Sequence, residues 1–197
     1  MKRCVWAETD NQLMQHYHDQ EWGTPCHDDR KLFELLSLEI MQAGLSWQTI
    51  LNKRAAFKDA LADFDVNQLQ HFEPQLPTLL TNAGIVRNRR KLLAIIHNAQ
   101  VVAQLQAGGN SLTAYLWAFV NGAAIVHHYQ AHDQIPSSDA LAQKISRQLK
   151  QAGFQFTGPV VVYSWLQAAG LINDHELGCF RRAALLKKAQ VAHGREA

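Results

Sequence analysis

Cys4 and His18 lie near one end of the chain, and His175 and Cys179 lie in the stretch DHELGC near the other; these four are the side chains best suited to a soft metal ion. The His-x3-Cys spacing of the second pair puts both side chains on one face of a helical turn. Two thiolates and two imidazoles complete a tetrahedral zinc shell and leave no position for water. A single Zn2+ held there would be structural rather than catalytic. It would also tie the chain ends together, and its affinity would contribute directly to folding. Spacing leaves a rival pair open, Cys26-His27, and three cysteines with ten histidines offer many accidental pairings.

The second chemical feature is a carboxylate. Glu39 interrupts the apolar run LLSLEIMQAGLSW, and Gln42 breaks it again. At helical spacing its neighbours are Leu35, Leu36 and Ala43, so the side chain points to the interior or to a cleft. A buried carboxylate needs a partner, or it keeps a proton and its pKa rises. Trp47 follows in sequence, and Tyr17 and Trp22 precede it in YHDQEWG. Aromatic faces around one acceptor suit a planar, cationic heteroaromatic ligand: the rings stack on it, and the carboxylate takes its N–H. The plainer reading keeps these aromatics as core and the Glu in a salt bridge.

The third is a basic hairpin. LLTNAGIVRNRRKLLAII predicts helix, a tight Asn82-Ala83-Gly84 turn and helix, with Arg87, Arg89, Arg90 and Lys91 just past the turn. Backbone N–H groups at such a turn bind phosphate oxygens, and guanidiniums add salt-dependent affinity for a nucleic-acid backbone. Basic helical hairpins also occur as plain solvated surface.

The elements that position these groups read as helices throughout. Asp28 or Asp29 caps a helix carrying Leu32, Phe33, Leu35, Leu36, Leu38 and Ile40, which Gly44 ends; Ser46 caps the next. A third runs from about Arg89 to Leu105 and stops at Gly108-Gly109. Ser138 starts another, ended near Gly153. In PVVVYSWLQAAG the valines favour a strand, but Pro159 in a first turn and Gly170 as a stop favour a buried helix. No run of alternating residues with turn dipeptides predicts a sheet, so the fold class is all-α.

Length and composition fit one globular domain: 197 residues, 47% hydrophobic and 18% charged. Lys and Arg number 19 against 17 acidic residues, a net charge of +2 that neither demands nor excludes a polyanion. The N-terminus lacks the apolar core of a signal peptide, and AYLWAFVNGAAIV is too short to span a membrane. A soluble, cytoplasmic, monomeric protein is expected, in which the cysteines serve as core thiols or ligands rather than disulfides.

Together the stretches RCVW, YHDQEWG, KLFELLSLEIMQAGLSW, AGIVRNRRKLLAIIHNA, FVN and YSWLQAAGLINDHELGC resemble the bacterial 3-methyladenine DNA glycosylase I family over nearly the whole chain. The resemblance implies a helix-hairpin-helix glycosylase fold of two helical lobes with a cleft between them, spanning 1–180. It implies a structural zinc at Cys4, His18, His175 and Cys179, with Cys26 left over. It implies a base pocket lined by Glu39 and Trp47, with Tyr17 stacking and Trp6 and Trp22 nearby. Gln42, Gly44 and Leu45 would sit where a flipped nucleotide leaves the duplex, Leu45 as a wedge, and Gly84, Arg87 and Arg89 would meet the DNA backbone.

The sequence departs from the family's pattern at two places. Met14 stands where some relatives carry a tyrosine three positions before the one matching Tyr17. The stretch after Cys179, FRRAALLKKAQVAHGREA, matches no shared motif, and 181–197 read as a basic tail open to disorder.

The implied activity is hydrolytic excision of 3-methyladenine from alkylated double-stranded DNA, in base-excision repair. The alkylated base is already cationic and a good leaving group, so no general base is assigned, and without a lysine nucleophile the enzyme is expected to be monofunctional. The superfamily often places an Asp after its hairpin; none lies around Gly158-Pro159, and Asp174 adjoins a ligand instead. A zinc hydrolase would need an open metal position. A non-catalytic DNA-binding module would have no use for Glu39 among aromatics.

Overall fold

The computed structural model describes residues 1–193; residues 194–197 lie outside it. Among the described residues the chain forms ten α-helices: α1 (Gln12–Gln20), α2 (Asp29–Gln42), α3 (Trp47–Ala60), α4 (Val66–Leu69), α5 (Leu76–Thr81), α6 (Arg89–Ala107), α7 (Leu112–Trp117), α8 (Ala140–Gln151), α9 (Pro159–Ala168) and α10 (Phe180–His193). None is long and apolar enough to cross a membrane. Among the described residues the one departure from helix and loop is a pair of two-residue strands, β1 (Ile125–Val126) and β2 (Ile172–Asn173). They run parallel, with Ile125 opposite Ile172 and Val126 opposite Asn173. So short a pairing leaves no alternation to read in sequence.

Helix α2 is the centre of the molecule. Leu32, Phe33, Leu36, Leu38, Ile40 and Met41 are fully buried on all sides of it, the signature of a helix enclosed by others. It packs against α3, α6, α7 and α9, and Trp165 Nε1 of α9 donates to its Leu32 carbonyl at 2.9 Å. Both candidate caps are used, for different helices. Asp28 accepts from Lys31 N at 2.7 Å and caps α2. Asp29 instead accepts from Leu112 N, Thr113 N and Thr113 Oγ1, holding the first turn of α7. Ser46 caps α3 as expected. The cap of α8 is Asp139, one residue past the expected Ser138; a carboxylate accepts more strongly than a hydroxyl and competes better for the orphan N–H.

The ambiguous valine run is helix α9, which starts on Pro159 and ends before Gly170. Gly170 has φ +71, and a Cβ there would clash with the Thr24 backbone. Only glycine lets the α9 terminus approach that loop so closely. The stretch after Cys179, read from sequence as a basic tail open to disorder, enters α10. Arg181 Nη2 donates to Thr24 Oγ1 at 2.7 Å, and Leu185 is buried. The expectation for the last four residues falls outside the described chain.

Candidate active site

The C-terminal end of α2 opens into a cavity of about 420 Å³. Glu39 and Gln42 of α2 line it, with Trp6, Met14, Tyr17 and Trp22 from the N-terminal segment and Trp47 from the first turn of α3. All five residues expected to bind the base therefore converge, with Gln42. The rings form an open box rather than a parallel sandwich. Tyr17 and Trp47 lie 5.0 Å apart at 50°, and Trp6 meets Trp22 edge to face at 5.2 Å. A planar ligand stacks on one ring and meets the edges of others, the geometry that π-quadrupoles favour. Met14 puts a soft thioether into this wall.

Glu39 is 5% exposed, and among the described residues it has no hydrogen-bond or ion-pair partner. Burial pushes its pKa up to about 8, since the charged form is the one that loses hydration. Burial also raises the Tyr17 phenol, with the Glu39 charge adding to the shift. Trp47 Nε1 is a buried donor with no partner among the described residues. An unpaired acid and an unpaired indole N–H in one aromatic cavity make a site built for a polar, flat ligand.

The opposite wall escaped the sequence reading. It comes from α9, through Val160, Tyr163, Ser164 and Gln167, and from the loop before α8, through His132, Ile135, Pro136 and Ser137. A signal for the α9 part was present: Ser164 and Gln167, three apart, interrupt an apolar helix much as Glu39 does. The loop residues carry no such pattern. Among the described residues the lining contains no lysine.

Gly44 (φ +83) and Leu45, 42% exposed, lie on the α2–α3 turn beside the cavity but not in its lining. The α5–α6 turn is farther round the surface. Arg87, Arg89 and Arg90 are exposed there. Two of its groups are not free for phosphate as the sequence implied. Gly84 N donates to Asn82 Oδ1 at 2.8 Å. Lys91 is buried, its Nζ donating to the Met41 and Ala43 carbonyls at 3.0 and 2.6 Å. A second helical hairpin, α8–α9, lies alongside. Arg90 sits 5.9 Å from the ring centre of Phe156 in its turn, and Asn98 exchanges two hydrogen bonds with Gln155. The arginines, the Leu45 turn and the α8–α9 turn thus surround the start of α6.

Behind the aromatic box Cys4, His18, His175 and Cys179 converge, all buried, with ligand atoms within 4.8 Å of one another. The Sγ–N separations are 3.4 Å for Cys4 with His175, 3.4 Å for Cys179 with His18 and 3.5 Å for Cys179 with His175. Zinc–sulfur bonds of about 2.3 Å and zinc–nitrogen bonds of about 2.0 Å at tetrahedral angles give edges of about 3.5 Å, so the set fits such an ion. The outer nitrogens are fixed as well. His18 Nδ1 pairs with Asp19 at 2.8 Å, which Arg3 holds in turn, and His175 Nε2 donates to the Trp22 carbonyl at 3.0 Å. This is the outer-sphere support that metal-bound imidazoles need. Cys26 is apart from the cluster, half-buried beside Trp117.

A helical protein with two helical hairpins, a closed Cys2His2 cluster and an aromatic cavity around a buried acid has the architecture of a DNA-base glycosylase. Comparisons specify the family. The profile described as "Methyladenine glycosylase" matches residues 6–182. DNA-3-methyladenine glycosylase 1 of Escherichia coli (strain K12) is 41% identical over 180 residues, covering 91% of this chain and 96% of the relative. A crystal structure of 3-methyladenine DNA glycosylase I superposes with a TM-score of 0.88 at 40% identity, covering 91% of this chain and 98% of that one. The Staphylococcus aureus 3-methyladenine DNA glycosylase I, solved to explain 3-methyladenine recognition, gives 0.86 at 39% identity, over 92% and 97% of the two chains. The chain belongs to the methyladenine glycosylase family.

Proposed function

We propose that this protein is a monofunctional DNA glycosylase that flips 3-methyladenine out of alkylated double-stranded DNA and hydrolyses its glycosidic bond. Glu39 carries the reading: its buried carboxyl in an aromatic box has no partner among the described residues, yet matches a cationic purine with an exocyclic N–H donor. Flipping costs a few kcal/mol, less for a damaged pair. Leu45 enters the vacated space, Gln42 and Gly44 shape the exit, and Arg87 and Arg89 hold the backbone near the Gly84 turn. The lesion stacks on Trp47 and Tyr17, flanked by Trp6 and Trp22, and Glu39 accepts from its edge. Water then attacks C1′ as the neutral base departs, so selectivity rests on binding the cation. With no lysine in the described lining, the pocket offers no amine for a covalent intermediate.

Zn2+ is the ion we assign to Cys4, His18, His175 and Cys179. It fills a closed shell and supplies structure, not a nucleophile. The protein acts as a cytoplasmic monomer and as a single domain. The hydrogen bond of Arg181 to Thr24 and the burial of Leu185 support a domain that continues past residue 180. The test is incubation with methylated duplex DNA and chromatography of the released bases. Stoichiometric release of 3-methyladenine that Glu39→Gln lowers by about 10–100-fold, the worth of a hydrogen bond to a charged partner, is expected. No release at any protein excess would leave only a DNA-binding module. X-ray absorption showing an oxygen in the zinc shell would overturn the structural role of the metal.

A further inference from the structure

Gln167 stands one turn beyond Ser164 on α9, half-buried in the cavity wall. Its amide is not free to turn. Nε2 donates to Asp174 Oδ2 at 2.7 Å. Asp174 is fully buried and takes two further hydrogen bonds, from Tyr163 Oη at 2.6 Å on the same oxygen and with His127 Nδ1 at 2.6 Å on the other. Flipping the amide would set its oxygen against a buried carboxylate oxygen, two acceptors with no proton between them. The amide nitrogen therefore faces Asp174, and Oε1 is turned away from it. That oxygen accepts no hydrogen bond from any described residue.

From this we infer that Gln167 is a specificity-determining residue, presenting the base pocket with an acceptor whose orientation Asp174 fixes. The inference rests on the glycosylase reading above and deepens it. Adenine and guanine methylated at N3 are alike in charge and in ring plane, so stacking and cation–π attraction do not separate them. They differ in hydrogen-bond polarity at C6. 3-Methyladenine carries an amino group there, which donates; 3-methylguanine carries a carbonyl oxygen, which accepts. A fixed acceptor rewards the first and leaves the second facing an unpaired lone pair in a water-poor cavity. Sites built this way discriminate far more strongly than apolar ones. Ser164, whose hydroxyl both donates and accepts, imposes no such choice. Tyr163 and Gln167 meet on one carboxylate oxygen, so the ring and the amide of this wall are held as one unit.

Gln167→Met keeps the length of the side chain and removes the amide. Single-turnover release of both bases from methylated duplex DNA, at enzyme excess, reads the effect. Release of 3-methyladenine is expected to fall about tenfold or more while release of 3-methylguanine changes less than threefold, so that their ratio collapses. An equal fall for both bases, or no change in either, overturns the inference. A second measurement needs no variant: quenching of tryptophan fluorescence in the unaltered protein by free 3-methyladenine and by 3-methylhypoxanthine, which differs by the oxygen at C6. Binding of 3-methyladenine at least tenfold tighter is expected; equal affinities overturn the inference. Failure of the glycosylase reading itself looks different, since the unaltered protein would then release neither base.

Discussion

At the scale of single residues, Glu39 couples function to stability through one proton. Its pKa is raised from 4.5 to about 8 by burial, so the folded state keeps a proton that the unfolded chain gives up. Between those values the native state binds more protons, and the stability due to this group is present in full below 4.5 and lost as pH rises through 8. Glu39→Gln cannot ionise. The difference in melting temperature should therefore shift in favour of the variant between pH 5 and pH 9; a constant difference would mean that the carboxyl is solvated. Activity moves the other way. The cationic base prefers the ionised acid, so kcat/KM should rise about tenfold per pH unit below 8 and level off above it, and the Gln variant should lose that limb. The position of Glu39 was legible because its polarity breaks an apolar run. Its isolation was not, because a sequence does not show which charges fail to reach a residue. The same break in polarity occurs at Ser164 and Gln167, but nothing local in the sequence ties that helix to the Glu39 side of the pocket.

At the scale of elements, the end of α2 is where the proposed base pocket would meet DNA, and Lys91 holds that end through the Met41 and Ala43 carbonyls. Its ammonium fills the place of the missing N–H donors at the α2 C-terminus, where carbonyls and helix dipole both favour a cation. It thereby joins the α5–α6 hairpin to the turn that carries Leu45. Lys91→Met should lower excision from duplex DNA at saturating DNA while leaving free 3-methyladenine binding within about twofold. Its dependence on salt should be unchanged, whereas loss of a true phosphate contact lowers the log–log slope by about one. Arg89→Ala supplies that contrast, with a lower slope and a nearly unchanged rate at saturation. In sequence Lys91 was one more member of a basic run. Charge is legible there, but not which cation turns inward, because that depends on a helix end nearly fifty residues away. Capping was far more legible: Asp28, Ser46, Pro159 and Gly170 act within a turn of their own helices, and the start read at Ser138 lies one position before the actual cap, Asp139.

At the scale of the whole molecule, the Cys4–His18–His175–Cys179 cluster does more than bring the ends of the chain together. Cys4 opens the turn that carries Trp6, and His18 follows Tyr17 directly, so two ligands share short segments with two pocket walls. The imidazoles also pack on the box itself: His18 meets Trp6 edge-on at 5.3 Å, and His175 meets Trp22 at 4.6 Å. Spacing alone could not separate this set from the Cys26-His27 pair, since Cys4 and His175 lie 171 residues apart and nothing local records their meeting; the resemblance to a family resolved it. Removing one ligand leaves three groups that cannot close a tetrahedron. Cys179→Ser should therefore lower bound zinc and, for a loss of about 4 kcal/mol, lower Tm by roughly 8–16 °C in a chain of this size. Because the cluster backs the pocket, chelation of the unaltered protein at a temperature where it stays helical should also change tryptophan emission and weaken 3-methyladenine binding. A protein that loses zinc and melts earlier, yet keeps its tryptophan spectrum and base affinity until it unfolds, would show that the metal holds the termini without shaping the site.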